Sequence, residues 1–175
     1  MTHVSVRVAS VLDAPALSAL RYAVEDQSYR HLGSAEEHQR RLEGTSSPEA
    51  LIALLSDSAT TVVAAELEGQ LIGMGALTRL QDGRGLLAGF YVTRQGCGAG
   101  AALVNALYAL AADLSALVCR VYATNESALR FWQARGFSLT GETNLCQWYA
   151  ERELLLLSMP IMPMSDPLAD PLVAA

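Results

Sequence analysis

The sequence predicts an α/β fold, with a mixed and mostly antiparallel central sheet of roughly six or seven strands and helices on both of its faces. Residues 4–8 alternate valine with polar or small side chains, which is the period of a half-buried strand. Two β-rich runs, 61–67 and 70–80, meet at Glu68-Gly69, a typical hairpin turn. A glycine-rich turn at 96–100 then leads from a third run into a leucine-striped helix. Strands that are mixed with helices in this order favour a sheet covered by helices.

The first half of the chain contains two clear helix signals. Asp13 is a suitable N-cap for a helix that presents leucines on one side, and a second helix is predicted over 49–55. Residues 25–48 between them are polar and charged. We expect the charged pairs at 36–37 and 40–41 to form a solvated helix face.

The second half continues the pattern toward a proline-rich end. Its predicted elements are, in order, a strand over 85–92, the glycine-rich turn, a long helix, a strand over 117–123, a helix over 125–135, and strands over 137–140 and 151–158. Gly89 lies inside the first of these strands and predicts a β-bulge or a close backbone approach. Four prolines, beginning with Pro160, disfavour regular structure. We therefore expect one domain over 1–159 and a tail over 160–175.

Composition excludes several classes of function. The 175 residues carry a net charge of −6 and no lysine, which argues against binding to nucleic acid or to a lipid surface. No apolar run is long enough for a membrane helix, and the alternating N-terminus does not resemble a signal peptide. The three cysteines are widely spaced and offer no zinc pattern, so we expect no metal site and free thiols. These features predict a cytoplasmic protein.

The glycine-rich turn has two chemical interpretations beside that of a tight strand-to-helix turn. A helix that begins after such a turn presents free N–H groups and a positive dipole end, which suits a diphosphate. Gly96, Gly98 and Ala101 also match the dinucleotide fingerprint Gly-x-Gly-x-x-Gly/Ala. However, no acidic residue follows at about 20 positions to hold a ribose, although Arg120 would suit a 2′-phosphate. A P-loop is excluded because no Gly-Lys pair follows.

Two stretches resemble motifs of the GCN5-related N-acetyltransferase (GNAT) family. Gln95-Gly96-Cys97-Gly98-Ala99-Gly100 is similar to its acetyl-CoA motif, Gln/Arg-x-x-Gly-x-Gly/Ala. Residues 123–137 resemble its second signature, in which Asn-x-x-Ala precedes an aromatic pair and Gly-Phe. The order of the predicted elements over residues 3–158 also matches the family. The resemblance therefore implies the acyl-CoA N-acyltransferase fold.

The resemblance further implies acetyl-CoA as cosubstrate and transfer of its acetyl group to a primary amine of a small molecule or a protein. Backbone groups near the bulge would face the thioester, the turn would hold the diphosphate, and the second signature would contact pantetheine. The residues implied to bind the cofactor are Tyr91, Val92, Thr93, Gln95, Gly96, Cys97, Gly98, Ala99, Gly100, Ala101, Asn125, Ala128 and Trp132.

The sequence offers several candidates for the general acid and the general base of the reaction. Trp132 stands where many members of the family have a tyrosine acid, and an indole does not supply a proton at a useful pKa. Tyr149 or Tyr122 could replace that acid, and Glu142 is a candidate base. Because these candidates are weak, an acetyl-CoA-binding or sensor module without turnover is the alternative function.

The acceptor and the assembly are open at this level. In this family residues 25–48 would line the acceptor side. Four acidic residues there would either attract a cationic amine or form ordinary helix faces: Glu25, Asp26, Glu36 and Glu37. Apolar residues in the tail, such as Ile161 and Leu168, would either support a homodimer or remain loose.

Overall fold

The computed structural model of the chain describes residues 3–149 and 152–161. The strands are β1 (Val4–Val8), β2 (Thr60–Leu67), β3 (Gln70–Arg79), β4 (Gly85–Val92), β5 (Ala116–Tyr122), β6 (Ser138–Leu145) and β7 (Glu153–Pro160). The helices are α1 (Ala14–Tyr29), α2 (Ala35–Ser46), α3 (Pro48–Ser56), α4 (Ala99–Leu110) and α5 (Glu126–Gln133). The predicted α/β class is confirmed.

The seven strands form one sheet in the order β1-β2-β3-β4-β5-β7-β6. Every neighbouring pair is antiparallel except β4 and β5. These two run parallel and pair only over Gly85–Leu87 and Leu117–Cys119. The sheet therefore opens beyond Leu87, on the side where β4 leads into the glycine-rich turn. This topology excludes the doubly wound parallel sheet of a dinucleotide-binding fold.

Helices cover both faces of the sheet. α4 packs on one face, where Leu103 and Leu107 are fully buried in the larger core cluster together with Trp132. α1 and α3 cover the other face, where Leu17 and Leu51 are fully buried in a second cluster. Apolar side chains at helical spacing thus produce a three-layer arrangement, with the open end of the sheet between the layers.

The polar segment between the first two predicted helices differs from expectation. Residues 35–46 form helix α2, which begins with a capping box between Ser34 and Glu37. Arg40 is exposed, as expected for a solvated face, whereas Arg41 is only 9% exposed and His38 only 5%. The prediction of a solvated pair at 40–41 is therefore wrong for Arg41, because one side of α2 packs against α1 and not against water.

The N-cap of α1 also differs from the sequence-based expectation. Asp13 holds the N-cap position of α1, but its carboxylate accepts hydrogen bonds from Arg7 and from the Ser10 N–H instead of capping that helix.

Pro160 is the last residue of β7 and pairs with Ala116, a strand-end position that a proline tolerates. Pro160 therefore still belongs to regular structure. The division into a domain over 1–159 and a tail over 160–175 stays a prediction, since residues 162–175 lie outside the described residues. No helix in the described part of the chain is long and apolar enough to cross a membrane.

Candidate active site

A cleft of about 1200 Å³ occupies the gap between the diverging ends of β4 and β5. Its walls come from both strands, from the glycine-rich turn and the start of α4, from α5, and from α1 and α2 on the opposite side. The cleft exists because β4 and β5 lose their pairing after Leu87 and Cys119. A volume in this range holds an extended small molecule together with part of a second one.

The predicted irregularity in β4 is present as a bulge. Met74 pairs with Tyr91 and Ala76 pairs with Ala88, so Gly89 and Phe90 together oppose a single residue of β3. Gly89 has φ +57°, a conformation that glycine adopts most readily. The bulge interrupts the regular pairing of β4 with β3 at a point where β4 no longer pairs with β5 and lines the cleft, so a ligand could approach its backbone there.

The glycine-rich turn forms an open cradle at the start of α4. Gly96 and Gly98 have φ +77° and +85°, and no atom lies within 4 Å of the Cβ position of either glycine. The first hydrogen bond of helix α4 runs from the Ala102 N–H to the Gly98 carbonyl. The N–H groups of residues 99–101 therefore have no partner within the helix. Free N–H groups and a positive dipole end fit the diphosphate of coenzyme A.

Most of the residues that the sequence implies for the cofactor line this cleft. Thr93 does not line it, because its hydroxyl and N–H both donate to the Ile72 carbonyl. Cys97 does not line it either, since its thiol donates to the Arg94 carbonyl and its side chain packs against the larger core cluster. The residues found in the lining are Tyr91, Val92, Gln95, Gly96, Gly98, Ala99, Gly100, Ala101, Asn125, Ala128 and Trp132.

Three of these residues have structural roles as well. Asn125 caps α5 by accepting a hydrogen bond from the Ala128 N–H at 3.0 Å. A Cβ added at Gly100 would lie 3.1 Å from the Phe131 ring, so this glycine allows α4 to approach α5. Trp132 is 5% exposed, and its ring packs edge-on against Phe131 and Phe137. The indole therefore forms a packed wall of the cleft.

Tyr91 directs its side chain to the opposite side of the sheet from α4. The ring is buried in the cluster with α1, and its hydroxyl donates to Glu25. Burial raises the pKa of this phenol, with a further contribution from the nearby Glu25 carboxylate, so it stays protonated. Any contact of Tyr91 with a cofactor is therefore made by its backbone.

Glu25 is the centre of a buried polar cluster beside the cleft. It is fully buried, and its carboxylate accepts from Arg21 Nε at 3.1 Å, Arg41 Nη2 at 3.3 Å and Thr45 Oγ1 at 2.9 Å, as well as from Tyr91. Burial opposes its ionisation, but the attraction of the two guanidinium groups outweighs this cost and lowers its pKa. The expected attraction of Glu25 for a cationic amine is not supported, because this carboxylate is already compensated.

Arg41 connects this cluster to the far wall of the cleft. Its Nη1 donates to the Tyr122 hydroxyl at 3.1 Å, and its guanidinium carbon lies 5.0 Å from the centre of the Tyr29 ring and 5.7 Å from that of Tyr149. These distances are typical of cation–π contacts. Arg41 therefore holds helices α1 and α2 against β5.

The charge of the cleft wall is opposite to that of the chain. The net charge is −6, yet within the described residues the lining includes no aspartate or glutamate. The basic residues that line it are Arg21, His31, Arg41, Arg94, Arg120 and Arg135. The cleft is thus a positively charged site that suits an anionic ligand.

Two of the three catalytic candidates named from the sequence lie away from the cleft lining. Glu142 is exposed on β6 and is not part of that lining. Tyr149 is fully buried outside it, and its hydroxyl lies 2.7 Å from His38 Nδ1, while Asp26 lies 3.0 Å from the other ring nitrogen. Burial raises the pKa of Tyr149 to about 12. These positions do not favour direct contact of either residue with a bound substrate.

Tyr122 does line the cleft. Its hydroxyl lies 3.0 Å from Cys146 Sγ and accepts from Arg41, and both Tyr122 and Cys146 belong to the lining. Burial and the contact with Cys146 raise the pKa of this phenol, so it is protonated near neutral pH. Among the tyrosines that were considered as acids, Tyr122 is the one that the fold brings to the site.

Comparison with known proteins agrees with this geometry. The model of the acetyltransferase (GNAT) family matches residues 21–137, well over half of the chain. The chain belongs to the GNAT acetyltransferase family. The match spans the bulged strand, the glycine-rich turn and the second signature, which confirms the resemblance seen in the sequence. No match was found among curated proteins.

Solved structures of this family share the fold of the whole GNAT domain. The PaiA N-acetyltransferase of Thermoplasma acidophilum, in complex with coenzyme A, is 15% identical with a TM-score of 0.77, covering 90% of this chain and 99% of its own. An N-acetyltransferase of Staphylococcus aureus is 17% identical with a TM-score of 0.72, covering 91% and 98%. The yncA protein of Salmonella typhimurium, with its cofactor acetyl-CoA, is 17% identical with a TM-score of 0.63, covering 95% and 99%.

The assignment of the diphosphate to the start of α4 is tested by a substitution that preserves the helix. Ala101→Glu places a carboxylate on an exposed residue of the first turn, where it favours the helix but repels a bound anion. We expect the affinity for coenzyme A to fall about tenfold or more in calorimetry, equal to about 1.4 kcal/mol. Asn105→Glu, one turn later and outside the cleft lining, is the control. Equal affinities in the two variants would contradict the assignment.

Proposed function

We propose that this GNAT protein is an acetyl-CoA-dependent N-acetyltransferase that acts on a primary amine in the cleft between β4 and β5. The observation that supports this most strongly is the combination of the bulged β4, the open glycine cradle at the start of α4 and a cleft wall whose charged residues are cationic. Each part would serve a different portion of acetyl-CoA. The bulged strand and the glycine cradle follow each other along the chain, whereas the cationic residues of the wall come from several elements.

The residues present fit the cofactor. The N–H groups at the start of α4 would bind the diphosphate, and Arg94 and Arg135 would pair with phosphate oxygens at the rim. Arg135 is held in place by donating to the Phe131 carbonyl at 2.9 Å. The backbone of β4 at the bulge would bind pantetheine and orient the thioester carbonyl. When bound, acetyl-CoA supplies the activated acetyl group for the amine.

Proton transfer in this site depends on the chain's own donors and on water. Because the described lining has no carboxylate, we propose that water removes the amine proton and that Tyr122, a residue of the cleft lining, donates a proton to the departing thiolate. Glu142 and Tyr149 stay predictions as base and acid, and their positions favour an indirect role. Trp132 would enclose the reacting end with a packed aromatic wall.

The proposal is tested by measuring binding and turnover separately. We expect coenzyme A, and not NAD(P), to raise the melting temperature of the protein. With acetyl-CoA and a broad panel of primary amines, we expect amine-dependent release of free thiol. Binding of coenzyme A without thiol release for any amine would support the alternative sensor function, which the tryptophan at position 132 motivates. Absence of binding would contradict both.

The cellular setting is part of the same proposal. All three cysteines are free, and two of them, Cys119 and Cys146, are buried close to the cleft, where reduced thiols are typical of a reducing compartment. We therefore propose a cytoplasmic location. A homodimer held by the tail stays a prediction, since its other residues beyond Ile161 lie outside the described part of the chain.

A further inference from the structure

The end of the cleft that is formed by α1 and α2, here called the acceptor end, carries more positive than negative charge. Arg21 on α1 and Arg41 on α2 share a single carboxylate, that of the buried Glu25, and the described lining of the cleft contains no acidic side chain. Among the described residues, one guanidinium charge is therefore not compensated by a carboxylate. A purely cationic amine would meet net repulsion there, whereas an acceptor with its own anionic group would complete the pairing.

The two arginines differ in how much of each guanidinium is available. Arg41 is bonded to Glu25 and Tyr122 and is enclosed by three tyrosine rings. Arg21 uses only its Nε, which donates to Glu25 at 3.1 Å. Its two terminal NH₂ groups make no hydrogen bond with any described residue, and its side chain is 14% exposed in the cleft wall. Arg21 thus offers a free, planar pair of donors.

The direction of Arg21 is fixed by its neighbours. Its guanidinium carbon lies 5.2 Å from the centre of the Tyr91 ring, and its Nε is anchored on the fully buried Glu25. Tyr91 is held in turn by its own hydrogen bond to Glu25. Arg21 is therefore pre-organised, so that little side-chain entropy is lost when an anion binds.

Arg21 also reaches the strand at the point where the acetyl group is proposed to be transferred. A Cβ built on Gly89, in the β4 bulge, would lie 3.9 Å from Arg21 Nη1. An acceptor molecule whose anionic group is bound by the terminal nitrogens of Arg21 would thus place an amine beside the bulge if only a few covalent bonds separate its two groups. The apolar lining near this end includes Val24, Leu32 and Trp148, which suits a hydrocarbon side chain.

We propose that the acceptor of this GNAT protein is an amine with a carboxylate two or three bonds away, as in an α- or β-amino acid, and that Arg21 binds this carboxylate with its two terminal nitrogens. The inference rests on the proposed N-acetyltransferase function and names its acceptor class. Bidentate pairing with a planar carboxylate is the geometry that a guanidinium favours. Glu25 and Arg41 act as positioning residues for Arg21.

Matched substrate pairs test the proposal. L-leucine is compared with 3-methylbutylamine, and L-phenylalanine with 2-phenylethylamine, since the members of each pair differ only in the carboxylate. We expect the wild-type protein to prefer the amino acid in kcat/KM. In Arg21→Gln the preference should fall by about tenfold to a hundredfold, through a higher KM for the amino acid. Arg30→Gln, at an exposed arginine outside this cleft, should leave the preference unchanged.

A binding measurement makes the result independent of turnover. N-acetyl-L-leucine should bind to the wild-type protein in calorimetry and about tenfold or more weakly to Arg21→Gln. Equal use of both members of each pair by the wild-type protein would overturn the proposal. An equal loss for both members in Arg21→Gln would also overturn it, because Arg21 would then act on a group common to both reactions. Failure of coenzyme A to bind would instead contradict the proposed function, while the calorimetric comparison would still test the carboxylate site.

Discussion

Replacing Glu25 with glutamine is expected to lower the free energy of unfolding by about 3–5 kcal/mol, because it removes one member of a buried charge cluster. Glu25 is fully buried and pairs with both Arg21 and Arg41. Without its charge, the guanidinium of Arg41 stays in a largely buried environment with no counter-ion. Denaturant melts at neutral pH measure this loss.

Two further variants show whether the effect arises from the buried cluster. Asp113→Asn removes a carboxylate of similar chemistry from an exposed pair with Arg79, and it should leave the midpoint of unfolding nearly unchanged. Tyr91→Phe removes a single hydrogen bond to Glu25 and should cost about 1–3 kcal/mol. A Glu25→Gln variant as stable as the wild type would mean that the cluster does not hold helices α1 and α2 to the sheet.

The same cluster predicts the direction of the acid response. The pKa of Glu25 is lower in the folded protein than its ordinary value, so the folded state binds fewer protons than the unfolded state in this range. The contribution of the ionised Glu25 to the free energy of unfolding is therefore complete above the pKa of about 4.3 in the unfolded chain. It is lost as the pH falls through the pKa in the folded protein. We expect the stability difference between wild type and Glu25→Gln to narrow progressively below about pH 4. A difference that widens on acidification would contradict the ionised state of Glu25.

If departure of the thiolate limits the rate, replacing Trp132 with tyrosine is expected to raise turnover by up to the 10²–10⁴-fold that a positioned proton donor typically contributes. Trp132 lines the cleft, and its indole offers no acidic proton there. The introduced phenol would place an O–H donor at the same wall. Steady-state kcat with the preferred amine is the measurement.

The packing around Trp132 determines the cost of this change and its control. The ring is 5% exposed among Phe90, Phe131 and Phe137, so a smaller ring leaves a gap and costs about 1–2 kcal/mol without loss of the fold. Trp132→Phe makes a similar gap but adds no hydroxyl. Equal rates in the two variants, with no loss in Tyr122→Phe or Tyr149→Phe, would show that no side-chain acid contributes.

The features that the sequence predicted are those with local signals. The alternating valines of β1, the hairpin between β2 and β3, Gly89 in the bulge and the turn before α4 each depend on residues that are close in the chain. Such residues determine backbone conformation through their own φ and ψ preferences, so their pattern is readable without the fold. The family motifs are local for the same reason, and they carried the cofactor assignment.

The polar cluster on the α1 and α2 side of the cleft was determined only by the tertiary structure. Glu25 and Arg41 are 16 residues apart, Glu25 and Tyr91 are 66 apart, and Arg41 and Tyr122 are 81 apart, yet all four form one cluster. A charged residue on an amphipathic helix has the same sequence pattern whether it faces water or a cleft, which is why Arg41 was expected to be solvated. Its environment depends on which strand the helix packs against. The sequence by itself thus determined the fold class and the glycine-rich turn, whereas the charge of the cleft wall at α1 and α2 was decided by long-range packing, because burial and ion pairing arise only when distant segments meet.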